Sequence, residues 1–250
     1  MKPVAIFRHA ENEGPGYFAT FLDRHSIPWQ LIAIDRGETV PQQADGYSGL
    51  CLMGGPMSVN DPLPWVAASC ALIRDAVSQG IPVIGHCLGG QLISKALGGV
   101  ITRSPTKEIG WGGVRAENND SARRWLGDWL PRTGGQADVF QWHGETFSIP
   151  DSAQRIFSND FCANQMFAQG PHLAMQCHVE MSAEMIAAWC AAWADEVRGL
   201  SPLPPTVQTP PQMLADAPAR LAAMRSLADQ LYAAWIGGLK RAAAGDAGAN

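Results

Sequence analysis

Cys87 sits in the run Ile81-Pro82-Val83-Ile84-Gly85-His86-Cys87-Leu88-Gly89-Gly90-Gln91, where a buried-strand pattern passes directly into a helix. The form G-x-C-x-G at such a junction is the thiol version of a nucleophile elbow. A sharp strand-to-helix turn holds the nucleophile in a strained backbone. Gly85 and Gly89 flank it because side chains there would clash across the turn. The turn also sets the sulfur at a helix N-terminus, where peptide dipoles favour a thiolate. The N–H of Leu88 then points toward an oxyanion formed by attack. An ordinary buried cysteine in a βα turn would show the same glycines, so the elbow carries chemistry only if a base and an orienting group exist elsewhere.

His178 and Glu180 supply both. Leu173 to Glu180 reads as a strand ending in His-x-Glu. In an extended chain residues i and i+2 project to the same side. The Glu180 carboxylate can therefore hold one ring nitrogen of His178 and leave the other to take the Cys87 proton. This is triad logic with Cys, His and Glu in chain order. An α/β-hydrolase would place the acid before the histidine, and here it follows. His9, His25, His86 and His172 lack such a setting and are expected to be structural or surface residues. Of these, His86 lies inside the elbow, where it could tune the thiol.

Leu50-Cys51-Leu52-Met53-Gly54-Gly55-Pro56-Met57-Ser58 is again a strand followed by a glycine-rich turn. Taken alone it is common turn chemistry. Its position gives it value, because it ends the strand that precedes the elbow strand. If the two strands are neighbours, backbone N–H groups of this turn complete an oxyanion hole with Leu88. One such donor is worth about 3 kcal/mol of transition-state stabilisation.

The elements that must position these residues alternate in type through the first two hundred residues. Strand-like runs cover Val4–Phe7, Gln30–Ile34, Leu50–Met53, Ile81–Gly85 and Leu173–Cys177, and helix-like runs cover Tyr17–Arg24, Trp65–Ser78, Leu88–Leu97 and Ser182 to about Val197. The alternation predicts an α/β three-layer sandwich, a mostly parallel sheet with helices on both faces. Between Val100 and Phe161 the chain reads as shorter strands and turns, with Val139–Trp142 and Arg155–Ser158 the clearest. Residues 1–200 form the expected main domain. Residues 201–211 carry a proline-rich, extended connector. Residues 212–250 form a helical extension with a disordered end. Its amphipathic stretch, Pro218 to Lys240, places Leu221, Met224, Leu227, Leu231 and Trp235 at helical spacing. That stripe is read either as packing on the parent domain or as a homodimer contact.

Bulk properties exclude several other classes. The chain has 250 residues, a formal net charge of −5, 46% hydrophobic and 16% charged residues, as a globular protein with a sizeable core has. Mild acidity with no basic cluster argues against nucleic-acid partners. No apolar run approaches a membrane span, and the N-terminal apolar stretch stops at Arg8 and His9, so a cytoplasmic location is expected. The six cysteines match no zinc spacing and are expected to be free, mostly buried thiols. No metal ligand set or cofactor is implied.

The ordered set Gly54-Gly55-Pro56, Gly85-His-Cys87-Leu-Gly89-Gly-Gln91, Glu108-Ile-Gly-Trp-Gly, Gln141-Trp-His143-Gly144-Glu and Gln176-Cys-His178-Val-Glu180 resembles class I glutamine amidotransferases, most closely the standalone, GMP-synthase-like members. The resemblance covers about residues 1–195. It implies a flavodoxin-like fold and release of ammonia from the glutamine side chain through a γ-glutamyl thioester. By position it makes Cys87 the nucleophile, His178 the base and Glu180 the orienter, with Gly55 and Leu88 as oxyanion donors. Gln91 resembles the residue that contacts the backbone end of glutamine, and Trp142-His143-Gly144 another part of that pocket, although Trp142 and His143 are equally explained as packing residues. The sequence departs from the usual family pattern twice. Gly90 stands where a histidine is usual, which is expected to change the pocket wall, and Val179 stands where a proline is usual. After Pro202 the chain holds little more than one helix, so no acceptor site is expected in it. The implied substrate is glutamine or another γ-glutamyl small molecule, with ammonia going to a separate enzyme or to water. A non-catalytic module on the same scaffold is the remaining alternative.

Overall fold

The structure, a computed structural model, describes residues 1–215 and 217–240. The disordered end expected of the last ten residues lies outside the described residues.

Strands β1 (Val4–Arg8), β2 (Trp29–Ala33), β3 (Gly49–Leu52) and β4 (Val83–His86) alternate with helices α1 (Gly16–Arg24), α2 (Pro64–Ser78) and α3 (Leu88–Ala96). The chain continues through β5 (Ile101–Ala116), α4 (Asp120–Leu126), α5 (Trp129–Thr133), β6 (Gln136–Phe147), β7 (Gln154–Ser158), β8 (Met166–Gln169) and β9 (His172–Met175). It finishes with α6 (Ala183–Ala192), α7 (Ala194–Arg198), α8 (Pro210–Ala215) and α9 (Ala217–Ile236). One nine-stranded sheet has the order β2-β1-β3-β4-β9-β8-β7-β5-β6. Strands β2, β1, β3, β4 and β9 run parallel, and the pairs from β9 to β6 are antiparallel.

Alternate residues of the strands feed two cores, as a pleat of period two requires. Val4, Ile6, Cys51 and Ile84 pack on one face with Phe18 and Phe21 of α1 and with α9. Ala5, Phe7, Leu50, Leu52 and Val83 pack on the other with Leu72 and Ile73 of α2 and with Leu92 and Ile93 of α3. Helices therefore cover both faces, and the expected α/β sandwich is present. β3 and β4 pair in parallel, Leu50 opposite Val83, so the glycine-rich turn and the elbow do lie at neighbouring strand ends.

Two readings need correction. The stretch read as short strands and turns holds a 16-residue strand, β5, paired along its length with the 12-residue β6. Pro105, Gly110, Gly112 and Gly113 hide it, since proline and glycine lower strand propensity and only pairing with β6 overrides them. The helix expected from Ser182 to Val197 breaks into α6 and α7 at Trp193. Its start is as expected, with the Ser182 side chain accepting a hydrogen bond from Met185 N–H. Of the two readings of the apolar stripe, packing on the parent domain is the one observed: Leu221, Met224, Leu227, Leu231 and Trp235 are all buried, and Trp235 and Tyr232 pack edge-on to Phe18. The proline-rich segment is docked as well, since Val207 bridges to Ile109 of β5 and is buried.

Candidate active site

The parallel strands end side by side, and in open α/β sheets ligands bind beyond such carboxyl ends. Cys87 follows β4 directly. Its φ of 48° and ψ of −107° lie outside the regions open to ordinary side chains, the strained turn expected of an elbow. A Cβ on Gly85 would lie 2.4 Å from the Gly89 backbone, and one on Gly89 would lie 2.0 Å from the Leu52 carbonyl oxygen. The turn can close this tightly only because both positions lack side chains. Gly90 meets the same constraint from another side, because a Cβ there would lie 2.3 Å from the Met175 carbonyl oxygen of β9. Gly90 thus faces the sheet backbone, and the expectation that it reshapes the pocket wall is overturned.

His178 lies three residues beyond β9. It is fixed by a bridge to β6, with His178 N–H donating to the Phe140 carbonyl at 2.8 Å and Phe140 N–H returning the bond at 3.2 Å. Its ring Nδ1–H donates to Glu180 Oε1 at 2.6 Å. Nε2 has no hydrogen-bond partner, and the Cys87 thiol bears on the same ring. The thiol and the ring are thus neighbours. Trp189 packs edge-on to the ring, with centroids 4.8 Å apart.

Burial alone would lower the His178 pKa, but the Glu180 carboxylate and the neighbouring Cys87 outweigh it and hold the ring well above its ordinary value. Burial would raise the Glu180 carboxyl; the His86 and His178 rings and the hydrogen bond from His178 reverse this and bring it to about 2. Both shifts run toward a carboxylate held against a protonated ring.

His86, expected either to be structural or to tune the thiol from inside the elbow, lies beside Glu180. It is fully buried, with Nε2 3.0 Å from the Tyr232 hydroxyl of α9 and 3.8 Å from Glu180 Oε2. Burial lowers its pKa, against the pull of Glu180. Tyr232 and Glu13 are two residues beside these rings that sequence reasoning missed. Tyr232 is separated from His86 by 146 positions, and no local pattern connects them.

A cleft of about 720 Å³ opens over Cys87, lined by Gly55, Gln91, Trp142, His143, Gly144 and His178 among others. Leu88 opens α3, so its N–H belongs to the first turn, where amides lack partners inside the helix. His9 supports the Gly55 turn from below, its Nδ1–H donating to the Met53 carbonyl at 3.0 Å; burial lowers its pKa to about 4 and keeps it neutral. Gln91 is largely buried, and its side-chain amide donates to Gln176 Oε1 at 3.2 Å, while Gln176 in turn reaches the Cys87 sulfur at 3.6 Å. Trp142 both packs and lines the cleft: its ring meets Trp189 and Trp193, its Nε1–H donates to Glu196, and its carbonyl lies 3.9 Å from the Cys87 sulfur. Both nitrogens of His143 face protein atoms, the Glu145 carbonyl at 3.1 Å and Glu108 Oε2 at 3.2 Å. A register shift in β5 between Arg103 and Glu108 turns Ser104, Pro105, Thr106 and Lys107 into the cleft, the usual service of a bulge beside a site.

Glu108, His143 and Cys162 place ligand-type atoms within 4.8 Å of one another. The Glu108 oxygens are already engaged by Asn159 at 2.6 Å and Gln165 at 2.9 Å, so this group reads as an internal polar network. All six cysteines are free and buried, as expected. No helix among the described residues is long and apolar enough to cross a membrane.

The fold, with a cysteine at the strand-to-helix turn and a His-Glu pair beside it, is of the class I amidotransferase type, and comparison with known proteins agrees. The profile of the family "Glutamine amidotransferase class-I" matches residues 25–186. The glutamine amidotransferase-like protein YfeJ of Salmonella typhimurium is 31% identical over 186 residues, 71% of this chain and 75% of that protein. Gamma-glutamyl peptidase 3 of Arabidopsis thaliana is 25% identical over 68% of this chain and 71% of its own length. The GMP synthase of Aromatoleum aromaticum is 32% identical over 46% of this chain, but the match spans only 22% of that longer protein. A glutamine amidotransferase crystal structure from Methylobacillus flagellatus superposes with a TM-score of 0.91, at 43% identity and 97% coverage of both chains. This chain belongs to the class I glutamine amidotransferase family, whose members are cysteine-dependent amidohydrolases and amidotransferases.

Proposed function

We propose that the chain hydrolyses the side-chain amide of glutamine, or of a γ-glutamyl compound built on it, through a γ-glutamyl thioester on Cys87. The observation that carries this reading is the 2.6 Å bond from His178 Nδ1–H to Glu180, with the other ring nitrogen unpartnered beside the Cys87 thiol. Cys87 is the nucleophile, and His178 takes its proton as the sulfur attacks. The sulfur attacks the γ-carbonyl carbon, and the N–H groups of Gly55 and Leu88 receive the oxyanion. The C–N bond breaks as His178 protonates the leaving nitrogen. Water, deprotonated by the same ring, then cleaves the thioester and frees glutamate. Gln91, Trp142, His143 and Gly144 hold the glutamyl end.

Cleft size favours keeping larger γ-glutamyl compounds in view beside glutamine. A volume of about 720 Å³ sits in the range of roughly 300–1,000 Å³ found for drug-sized ligands, well beyond what glutamine alone fills. Delivery of ammonia to a separate accepting enzyme is the alternative fate of the product. The test is a panel of glutamine, γ-glutamyl amines and γ-glutamyl peptides, read by release of glutamate and ammonia. Glutamate release from at least one of them is expected; a folded protein that releases none from any of them contradicts the reading.

A further inference from the structure

Glu13 lies in the loop between β1 and α1 and lines the same cleft. Its side chain is 5% exposed, and no group among the described residues donates a hydrogen bond to its carboxyl. Buried carboxyls are costly unless something pairs with them. This one is held in place by the surrounding structure. A Cβ on Gly54 would lie 1.9 Å from Glu13 Oε2 and 3.2 Å from His178 Cε1, so the bare glycine leaves the carboxyl room beside the imidazole. The loop is pinned on both sides of it. Trp189 Nε1–H donates to the Asn12 carbonyl at 2.7 Å, and Tyr17 N–H donates to the Glu180 carbonyl at 2.7 Å.

The rest of the cleft leans the same way. Asp61, Glu145 and Glu196 line it against Arg103 and Lys107, and Lys107 is already paired with Glu196. Trp142, Trp189 and Trp193 form one wall, and tryptophan faces attract cations.

We propose that Glu13 seats the leaving nitrogen of the substrate and selects γ-glutamyl amides whose leaving amine is uncharged or basic over those whose leaving group is acidic. The inference rests on the hydrolytic reading above and adds a substrate class to it. As the C–N bond breaks, the His178 proton passes to the leaving nitrogen. Glu13, on the flank of that ring, accepts a hydrogen bond from the same nitrogen and balances a second ammonium where the amine is a diamine. A leaving amino acid brings its own carboxylate to this place, where like charges repel. Burial pushes the Glu13 carboxyl up to about 7, with His178 opposing and Glu180 adding to the effect. The α-ammonium of the glutamyl group offers the same chemistry from a second source, and the experiment separates the two.

Binding is measured by calorimetry on the full chain carrying Cys87→Ala, alone and with Glu13→Gln. The ligands are the mono-γ-glutamyl amide of 1,4-diaminobutane, γ-glutamylglycine, and the glutaric monoamide of the same diamine, which lacks the α-ammonium. The Cys87→Ala chain is expected to prefer the diamine amide over γ-glutamylglycine by at least about tenfold, the scale of one charge-assisted hydrogen bond. Glu13→Gln removes the preference and weakens the glutaric amide as much as the γ-glutamyl one. Glu13→Asp, which keeps the charge, retains part of the preference, and thermal unfolding of each variant reports its fold. An unchanged preference in a folded Glu13→Gln chain overturns the proposal. So does a loss confined to compounds bearing the α-ammonium, which would assign Glu13 to that group instead. Turnover of the same compounds by the unmodified chain is read in parallel; a Glu13-dependent preference without glutamate release would overturn the hydrolytic reading and leave the ammonium seat standing.

Discussion

In the parallel half of the sheet, β1, β3 and β4 run out into His9, Gly54 and Cys87, and β9 into His178 three residues on. In the antiparallel half, β5 and β6 bring Lys107, Trp142 and His143 to the same cleft from within strands. The first half sets reactive atoms by sharp turns at strand ends, held by glycines that nothing larger can replace. The second half sets walls, by a bulge in β5 and by aromatic packing of Trp142 on Trp189 and Trp193. On this account the parallel half carries the reaction and the antiparallel half carries the fit, so variants in the two halves should fail in different ways.

The division breaks most visibly at the nucleophile. Cys87→Ala is expected to lower turnover on the order of 10⁶-fold, the scale of a lost nucleophile, with little change in thermal stability. A glutamate-release assay within tenfold of wild type would move the reaction out of the parallel half. Glu180→Gln is next. An amide cannot take the place of a carboxylate against the protonated ring, and a drop in kcat on the order of 10⁴ is expected, with KM nearly unchanged.

Glu13→Gln sharpens the comparison through stability rather than rate. The Glu13 carboxyl is raised from 4.5 to about 7, so the folded state holds its proton more tightly than the unfolded chain does. Its favourable contribution is fully present below pH 4.5 and is lost as pH rises through about 7. Between pH 5 and pH 8 the glutamine variant should therefore gain on the wild type by up to about 3 kcal/mol in urea unfolding, one pKa unit being about 1.4 kcal/mol. A gain in the opposite direction would contradict the burial assigned to this group.

Tyr232→Phe tests whether the C-terminal helix is tied to the reaction. It leaves His86 without its 3.0 Å partner, at a cost of about 1–3 kcal/mol for a buried unsatisfied group. A fall in kcat of less than about tenfold is expected alongside, through the neighbouring Glu180. The smallest effect belongs to the antiparallel side of the cleft. Trp142→Phe keeps the aromatic packing but loses the hydrogen bond to Glu196, and is expected to raise KM several-fold with kcat held within about twofold, the pattern of lost uniform binding.

The two halves also differed in how far the sequence disclosed them. The elbow glycines, the His-x-Glu ending and the Gly54-Gly55 turn each answer a local steric or extended-chain rule, so Cys87, His178 and Glu180 could be read within a few residues of themselves. The same local logic marked β1, β3 and β4 as buried strands. Strand β5 is held by its pairing with β6, against the preferences of its own proline and glycines, and a pattern reading sees only the preferences. Gly90 was read as a lost side chain in the pocket wall, when its real constraint is the Met175 carbonyl at 2.3 Å, a contact no sequence window contains. Glu13 and Tyr232 lie in a loop and a distant helix with no motif around them. Their meaning is the His178 and His86 rings they approach in space.

Centrally, one thiol among six is made nucleophilic by a held imidazole and reached through a site for a γ-glutamyl group. The diazoketone analogue of glutamine, incubated with the native chain and followed by peptide mass spectrometry, tests it most directly. The account predicts stoichiometric labelling confined to the peptide containing Cys87, abolished by Glu180→Gln and slowed by excess glutamine. Labelling spread over Cys51, Cys70, Cys162, Cys177 and Cys190 as readily as Cys87, or no labelling at all, would contradict it.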